Sequence, residues 1–371
     1  MKIRRVVMKN YRNYAEETVS FDTGINVFLG QNAQGKTNIL EAVYYAALGR
    51  SHRTSSDLDL IRWNEKEAKL SVDFFRRDVE NRLDFLFFRD KGRQIKRNGA
   101  SIRLKDLIGT VNLVLFSPED LFLIKGAPSG RRRFLDMEIS QIDSSYFYDL
   151  TIYTKLLNHR NSLLKRIRDG KASEEELLLW DEQLVPRAVS VIQKRINAVQ
   201  KMSLYAAETQ YEISGGKEKL SLQYEIHGRE GEKAENMTND LFSWYNEKLI
   251  DSVKLDIIRG ITRFGPHRDD LAFLVNDVDL RAYGSQGQQR TGVLALKLAE
   301  LSFFREEAGE YPVLLLDDVM SELDRERREQ LLSFIRGEEL QALITAADED
   351  YFPSDGFGTI FHVKNGTVTD G

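Results

Sequence analysis

Gly30, Gly35, Lys36 and Thr37, within FLGQNAQGKTNILEA, stand at the spacing G-x-x-x-x-G-K-[ST] of a loop that cradles phosphate. Each residue type has a task. The glycines let the backbone curl so that several N–H groups converge on a β-phosphate, and the helix that follows turns its positive end to the same anion. Lys36 is long enough to reach the β- and γ-phosphates, and the Thr37 hydroxyl is a hard oxygen ligand for Mg2+. Further along, YPVLLLDDVMSELD ends an apolar run on Asp317 and Asp318. A carboxylate at the end of a buried strand beside a P-loop holds Mg2+, often through its water shell, and a neighbouring one can orient an attacking water; these roles fall to Asp317 and Asp318. Upstream, YGSQGQQRTGVLALKLAELSFF puts Ser285 and Gly287 just before an amphipathic helix, a second helix start suited to an anion.

These groups need elements to hold them. GINVFLG reads as a buried strand and TNILEAVYYAALG as an amphipathic helix, the order a P-loop requires. Strand-like runs precede it (KIRRVVMKN, ETVSF) and follow it (AKLSVDFF, NRLDFLFF, RQIKRNGASIRL), the last with Asn98-Gly99 as a hairpin turn. From Ser117 the pattern turns helical. Ser173 to Gln210 is long and periodic, with Leu184, Val189, Ile192, Ile196 and Val199 on one core-facing side and Pro186 marking a kink or break. Strand character returns after Phe264, with DLAFLVN, PVLLLDD, LQALIT and a closing hairpin at Asn365-Gly366. The expected fold is therefore α/β: a P-loop head made from both chain ends, residues 1–116 and 265–371, with a mostly helical lobe, 117–264, inserted between them.

Bulk properties narrow the class. At 371 residues, 42% hydrophobic and 30% charged, the chain suits an ordinary folded protein of two domains or lobes. No apolar run has membrane-spanning length, and MKIRRVVMKNYRNY is too charged for a secretory signal. Zero cysteines excludes disulfides, thiolate metal sites and thiol catalysis, and fits a reducing cytoplasm, the expected location. A net charge of -5 argues against coating nucleic acid by overall charge. Three basic clusters nonetheless stand out, Lys91–Lys105, Gly130–Arg133 and His159–Lys171; each reads either as a solvated face or as part of a track for a phosphate backbone. His267 and Arg268 sit beside two acids, yet with five histidines in all and no second one nearby a structural or interface role fits better than metal or base chemistry, and His52 reads the same way.

P-loop, SQGQQR, LLLDD and SELD in this order resemble ATPase heads of the ABC type, including the SMC chromosome proteins and their DNA-repair relatives. NYRNY (10–14), GQNAQGKTN, SHRT (51–54), FSPEDL (116–121), GRRRFLD (130–136) and GPHRDDL (265–271) narrow the resemblance to the RecF family. It spans most of the chain, and implies an ABC-type head with no long coiled coil. The cofactors implied are ATP and Mg2+. Gly30, Gln31, Asn32, Ala33, Gln34, Gly35, Lys36, Thr37 and Asn38 would hold the nucleotide, with Arg12 near it. Ser285, Gly287 and Gln288 would touch the γ-phosphate of ATP bound to a second subunit, and Asp324 would lie at that junction. The family role implied is an ATP-dependent dimer that binds gapped, single-stranded or junction DNA and, with RecO and RecR, helps to place RecA on single strands, without a membrane. Two departures from the wider ABC pattern matter: Asp318 where glutamate is usual, and Thr345 where a γ-phosphate-sensing histidine often stands. Both point to slow hydrolysis, a timed switch. Rival readings are an ABC-type energising subunit, disfavoured by the long insert and GPHRDDL; a head from a coiled-coil tether, disfavoured by the absence of sustained heptads; and a DNA-binding scaffold in which nucleotide is only structural.

Overall fold

Alternation of apolar and polar residues dictates the first sheet. In β1 (Lys2–Tyr11) Ile3, Val6, Met8 and Tyr11 point into the core, with a bulge between Ile3 and Arg5 absorbing the change of register. β1 lies between β2 (Tyr14–Ser20) and β4 (Glu67–Arg76), and β5 (Val79–Phe88), β6 (Gly92–Arg97) and β7 (Ala100–Ser101) extend the sheet in the order β2-β1-β4-β5-β6-β7. The β6–β7 turn uses the expected Asn98-Gly99, both at positive φ (49° and 84°). This computed structural model describes residues 1–229, 231–232, 240–353 and 357–371.

A second sheet has at its centre runs without alternation, INVFL, VLLLD and ALITA, as strands covered on both faces must be. Its order is β15-β14-β3-β13-β12-β8, where β3 is Ile25–Leu29, β8 Leu113–Phe116, β12 Val313–Asp317, β13 Ala342–Ala346, β14 Thr359–Lys364 and β15 Thr367–Asp370. All pairings are parallel except β14–β15, closed by the expected hairpin at Asn365-Gly366. Helix α1 (Lys36–Leu48) follows β3 and is buried continuously from Ile39 to Leu48, so it is a core helix rather than the amphipathic one its sequence suggested.

Packing divides the chain into two compact units, Met1–Leu121 with Leu296–Gly371, and Phe122–Ala295. The sequence placed the second junction at 264/265. It falls later because β9 (Leu220–Glu225) pairs antiparallel with β10 (Asp270–Val275), which in turn pairs with β11 (Val278–Asp279), tying residues 270–279 to the inserted unit. That unit is otherwise helical: α2 (Pro128–Ile142), α3 (Ser144–Arg168), α4 (Glu176–Ile213) and α5 (Leu241–Arg259). Pro186 lies inside α4 without ending it; Leu184, Ile192, Ile196 and Val199 are buried, and Val189 partly so.

Buried arginines stitch this unit together. Arg131, from the GRRR cluster, makes a two-pronged pair with Asp270 (2.7 and 2.8 Å) and donates to the Gly126 carbonyl. Arg160, wholly buried, donates to Asp181 (2.6 Å), Asp256 (2.8 Å) and Thr262 (2.9 Å). Arg195 reaches Asp136, Tyr146, Tyr224 and the Pro266 carbonyl. Two of the three basic clusters thus spend an arginine on the interior, while Lys165, Arg166, Arg168 and Lys171 stay exposed. His267 is also structural: Tyr153 Oη lies 2.6 Å from Nδ1 and the Thr262 carbonyl 3.0 Å from Nε2, and burial lowers its pKa to about 4, leaving a neutral ring.

Candidate functional site

The turn from β3 into α1 sets the phosphate loop. Gly30 passes so close to β14 that a Cβ there would meet the Val363 carbonyl oxygen at 2.3 Å, and Gly35, at φ 119°, would press a Cβ against Asn13 and Tyr14. Neighbours pin the loop from outside. Asn13 Nδ2 and the Gly366 N–H donate to the Gln34 carbonyl, Asn365 N–H donates to Gln34 Oε1, and Tyr14 Oη donates to the Gly35 carbonyl. Gln31, Asn32 and Ala33 are exposed at the crest, with Ala33 at φ 66°. Gly35 caps α1 without any side-chain bond; the Asn38 N–H donates to the Gly35 carbonyl (3.0 Å), and the Lys36 and Thr37 N–H groups at the helix start are placed to meet an anion.

Lys36 folds across this loop. Its Nζ donates to the Gly30 carbonyl at 2.6 Å and the Gln31 carbonyl at 3.1 Å, and burial lowers its pKa against the opposing pull of Asp318 and Asp317. Thr37 Oγ1 donates to Asp317 Oδ1 (2.9 Å), which also accepts from Thr345 Oγ1 (2.8 Å). Residues 280 apart in the chain therefore meet because β12 and β3 flank β13. Asp318, at the strand end, takes φ 55°, its N–H donating to Thr345 Oγ1 at 2.9 Å. The two carboxylates diverge. Burial pushes Asp317 up, but the polar groups of His52, Thr345 and Thr37 outweigh it and hold the group below its ordinary value. Asp318 is raised, by burial first and by Asp317 against the pull of Lys36. Such a split assigns one acid to stay ionised and the other to be the more basic.

Hydroxyl and carboxylate oxygens at Thr37 and Asp317 are the hard donors that Mg2+ takes. Both ring nitrogens of His52 beside them are buried without a hydrogen-bond partner, which suits a centre that gathers a hydrated ion. Among the described residues no group of three or more His, Cys, Asp or Glu forms a metal cage.

Beside Asn38 opens a cleft of about 730 Å3, lined by Arg12, Asn13, Asn38, Arg53, Arg62 and Trp63 among others. Glu41, buried on α1, organises it: Arg12 Nε donates to Oε2 (2.7 Å), Ser51 Oγ donates to Oε1 (2.5 Å), and Arg53 lies 3.8 Å away while donating to Asn38 Oδ1 (2.8 Å). Trp63 stands 89% exposed at the rim. Sequence reasoning did not single out Glu41, Arg53 or Trp63; the signal available was SHRT and its distance from the P-loop.

Ser285, Gly287 and Gln288 lie in the other unit. Ser285 is exposed and forms a reciprocal cap with Gln288 at the start of α6 (Gln286–Ala308): Gln288 N–H donates to Ser285 Oγ (3.2 Å) and Ser285 N–H to Gln288 Oε1 (2.9 Å). Asp324 caps α7 (Arg325–Gly337), accepting from Arg327 N–H at 3.0 Å.

Comparison with known proteins now decides the family. Residues 2–369 match the RecF/RecN/SMC N terminal domain, and the chain is 43% identical to the DNA replication and repair protein RecF of Halalkalibacterium halodurans across 99% of both chains. The chain belongs to the RecF family. It is 43% identical to the RecF of Geobacillus kaustophilus, over 100% of this chain and 99% of that one. A solved structure of the recombination mediator protein RecF with ATP, in the RecFOR pathway, superposes with a TM-score of 0.89 at 37% identity, covering 100% of this chain and 97% of that one. An SMC head bound to the C-winged helix domain of ScpA shares the fold at a TM-score of 0.60 and 17% identity. The architecture is thus the SMC and ABC type of ATPase head, and no helix among the described residues is long and apolar enough to cross a membrane.

Proposed function

We propose that this chain is an ATP-binding protein of DNA replication and repair whose ATP-bound dimer binds gapped, single-stranded or junction DNA and, with RecR and RecO, promotes loading of RecA. The observation that carries this is full-length likeness to RecF joined to a phosphate loop already bonded to its Asp317 carboxylate. Lys36 and the N–H groups of residues 31–38 bind the triphosphate, Thr37 and Asp317 hold Mg2+ and its water, and Asp318 orients the attacking water. Mg2+ supplies charge neutralisation at the β- and γ-oxygens. Ser285, Gly287 and Gln288 complete the site from a second copy, so that a γ-phosphate bridging two surfaces favours the closed dimer and its hydrolysis releases it. Turnover is slow, because Asp318 is one methylene shorter than glutamate and Thr345 offers a hydroxyl already engaged with Asp317. The cytoplasm is the working compartment.

Sizing the protein with and without ATP, then with gapped, duplex and single-stranded DNA, tests this directly. The mass should double with ATP and not with ADP, and DNA affinity should fall steeply with added salt, since phosphate contacts dominate such binding. A chain that stays monomeric with ATP and DNA refutes the dimer; equal DNA affinity with ATP, ADP and no nucleotide indicates the scaffold reading, and many turnovers per second with DNA present refute the slow switch.

On this reading the cleft beside Asn38 takes the nucleoside, with Trp63 as a platform for the base. Trp63→Ala should weaken ATP and ADP binding about tenfold, the worth of one base–aromatic stack, and leave inorganic triphosphate binding unchanged. Calorimetric titration with the three ligands checks it, and an equal loss for triphosphate would remove the base from the cleft.

A further inference from the structure

His52 stands at the Asp317 centre without a bonding partner of its own. It comes from the SHRT segment after α1, yet its Nε2 lies 3.9 Å from Asp317 Oδ2, just beyond hydrogen-bond reach. The ring is held by its edge contact with Tyr44 (centroids 4.9 Å apart, 69° between planes), and its side chain is 13% exposed. Neither nitrogen bonds to protein, although both are buried. Buried polar atoms left so are costly and rare, and they concentrate where function supplies the missing partner. Across the carboxylate, Oδ1 is taken by the hydroxyls of Thr37 and Thr345. Only Oδ2 faces the imidazole.

We propose that His52 is a positioning residue of the carboxylate that would hold Mg2+, its Nε2 side turned to Asp317 Oδ2 at 3.9 Å so as to donate to it directly or through one water. Three groups from three elements then fix Asp317: Thr37 from the P-loop helix, Thr345 from β13, and His52 from the segment after α1. An imidazole thus reaches the hydrolytic centre from the P-loop side, while Thr345, near the end of β13, fills the position where many ABC-type heads carry histidine. A carboxylate orienter of this kind typically governs metal affinity by 10–100-fold. The inference rests on the nucleotide and Mg2+ reading above.

The test uses the full chain, ADP and Mg2+. His52→Phe keeps the aromatic packing on Tyr44 and removes both nitrogens; His52→Asn returns a donor. With His52→Phe, the Mg2+ concentration giving half-maximal gain in ADP affinity should rise about tenfold or more, while ADP affinity in excess chelator and the melting temperature without ligand stay at wild-type values. His52→Asn should restore the Mg2+ dependence to within about threefold of wild type. An unchanged Mg2+ dependence in His52→Phe overturns the proposal, as does an equal loss of ADP affinity in chelator, which would mark a packing role. If the phenylalanine chain does not fold, His52→Ala against His52→Asn poses the same contrast. A wild-type protein that binds ADP regardless of Mg2+ would instead bring down the metal reading itself.

Discussion

Replacing Lys36 with alanine should reduce ATP affinity by two to three orders of magnitude and abolish the proposed ATP-dependent dimer in the same step. Lys36 is 4% exposed, and its ammonium bridges the Gly30 and Gln31 carbonyls at the mouth of the loop. Lys36 is the one cationic side chain within GQNAQGKT, and on the proposed reading its ammonium turns from these carbonyls to the phosphates. A charge-assisted contact in a partly dry site is worth about 1.5–3 kcal/mol, and more than one phosphate oxygen is within the compass of such a side chain. About 3–4 kcal/mol is therefore expected to disappear, each 1.4 kcal/mol being a factor of ten. Titration with a fluorescent ATP analogue gives the affinity, and light scattering gives the mass. Weak nucleotide binding with intact ATP-dependent dimers would contradict the proposed bridge, because it would separate the γ-phosphate from closure. Thermal unfolding without ligand should change little by comparison, the Lys36 ammonium donating only to two loop carbonyls.

Arg160→Leu should be the most destabilising single change in the inserted unit. Its side chain and that of Asp256 are both wholly buried, and burial already raises the Asp256 pKa against the opposing pull of Arg160. Removing the guanidinium leaves Asp256 in the interior without its counter-charge and strips Asp181 and Thr262 of a donor. Breaking a buried pair from one side costs about 3–5 kcal/mol, enough to lower the melting temperature on the order of 10 °C. Arg168→Leu, a few residues along the same helix but exposed, should stay within about 0.5 kcal/mol. Scanning calorimetry on both separates the cases. A double variant, Arg160→Met with Asp256→Leu, should recover part of the loss, since it removes the stranded charge. Equal stability of Arg160→Leu and wild type would show that water reaches Asp256.

The contrast between Arg160 and Arg168 also shows what a reading of the chain can and cannot reach. Motif and period are local properties, so Gly30 to Asn38, the LLLDD strand, the two Asn-Gly hairpins and the apolar stripe of α4 were legible before any coordinates. Burial of a charge depends on a partner far away in sequence: Asp270 lies 139 residues from Arg131, and Asp256 lies 96 residues from Arg160. A basic cluster therefore looked uniform although one arginine in it was core. The misplaced junction near residue 265 has a related cause. Leu220, Leu222 and Tyr224 alternate as a strand should, but nothing in that stretch names β10 as its neighbour. α1 misled in the other direction, its glutamate and tyrosines suggesting a wet face that Arg12, Ser51 and Asp57 in fact cover. His52 looked like any lone histidine because its significance is a distance to Asp317.

The position of β3 has a consequence for biosynthesis. Its strand neighbours are β13 and β14, made only after some 300 further residues have been joined, and the loop's outer support at Asn365 and Gly366 comes later still. A nascent chain on the ribosome thus exposes the GKT segment with Asn13 and Tyr14 to brace it but long before its strand neighbours are made, and such late-closing topologies fold slowly. On the proposed nucleotide reading, a chain that still lacks β13 and β14 should hold ATP poorly, so that loading follows completion of the sheet instead of accompanying synthesis.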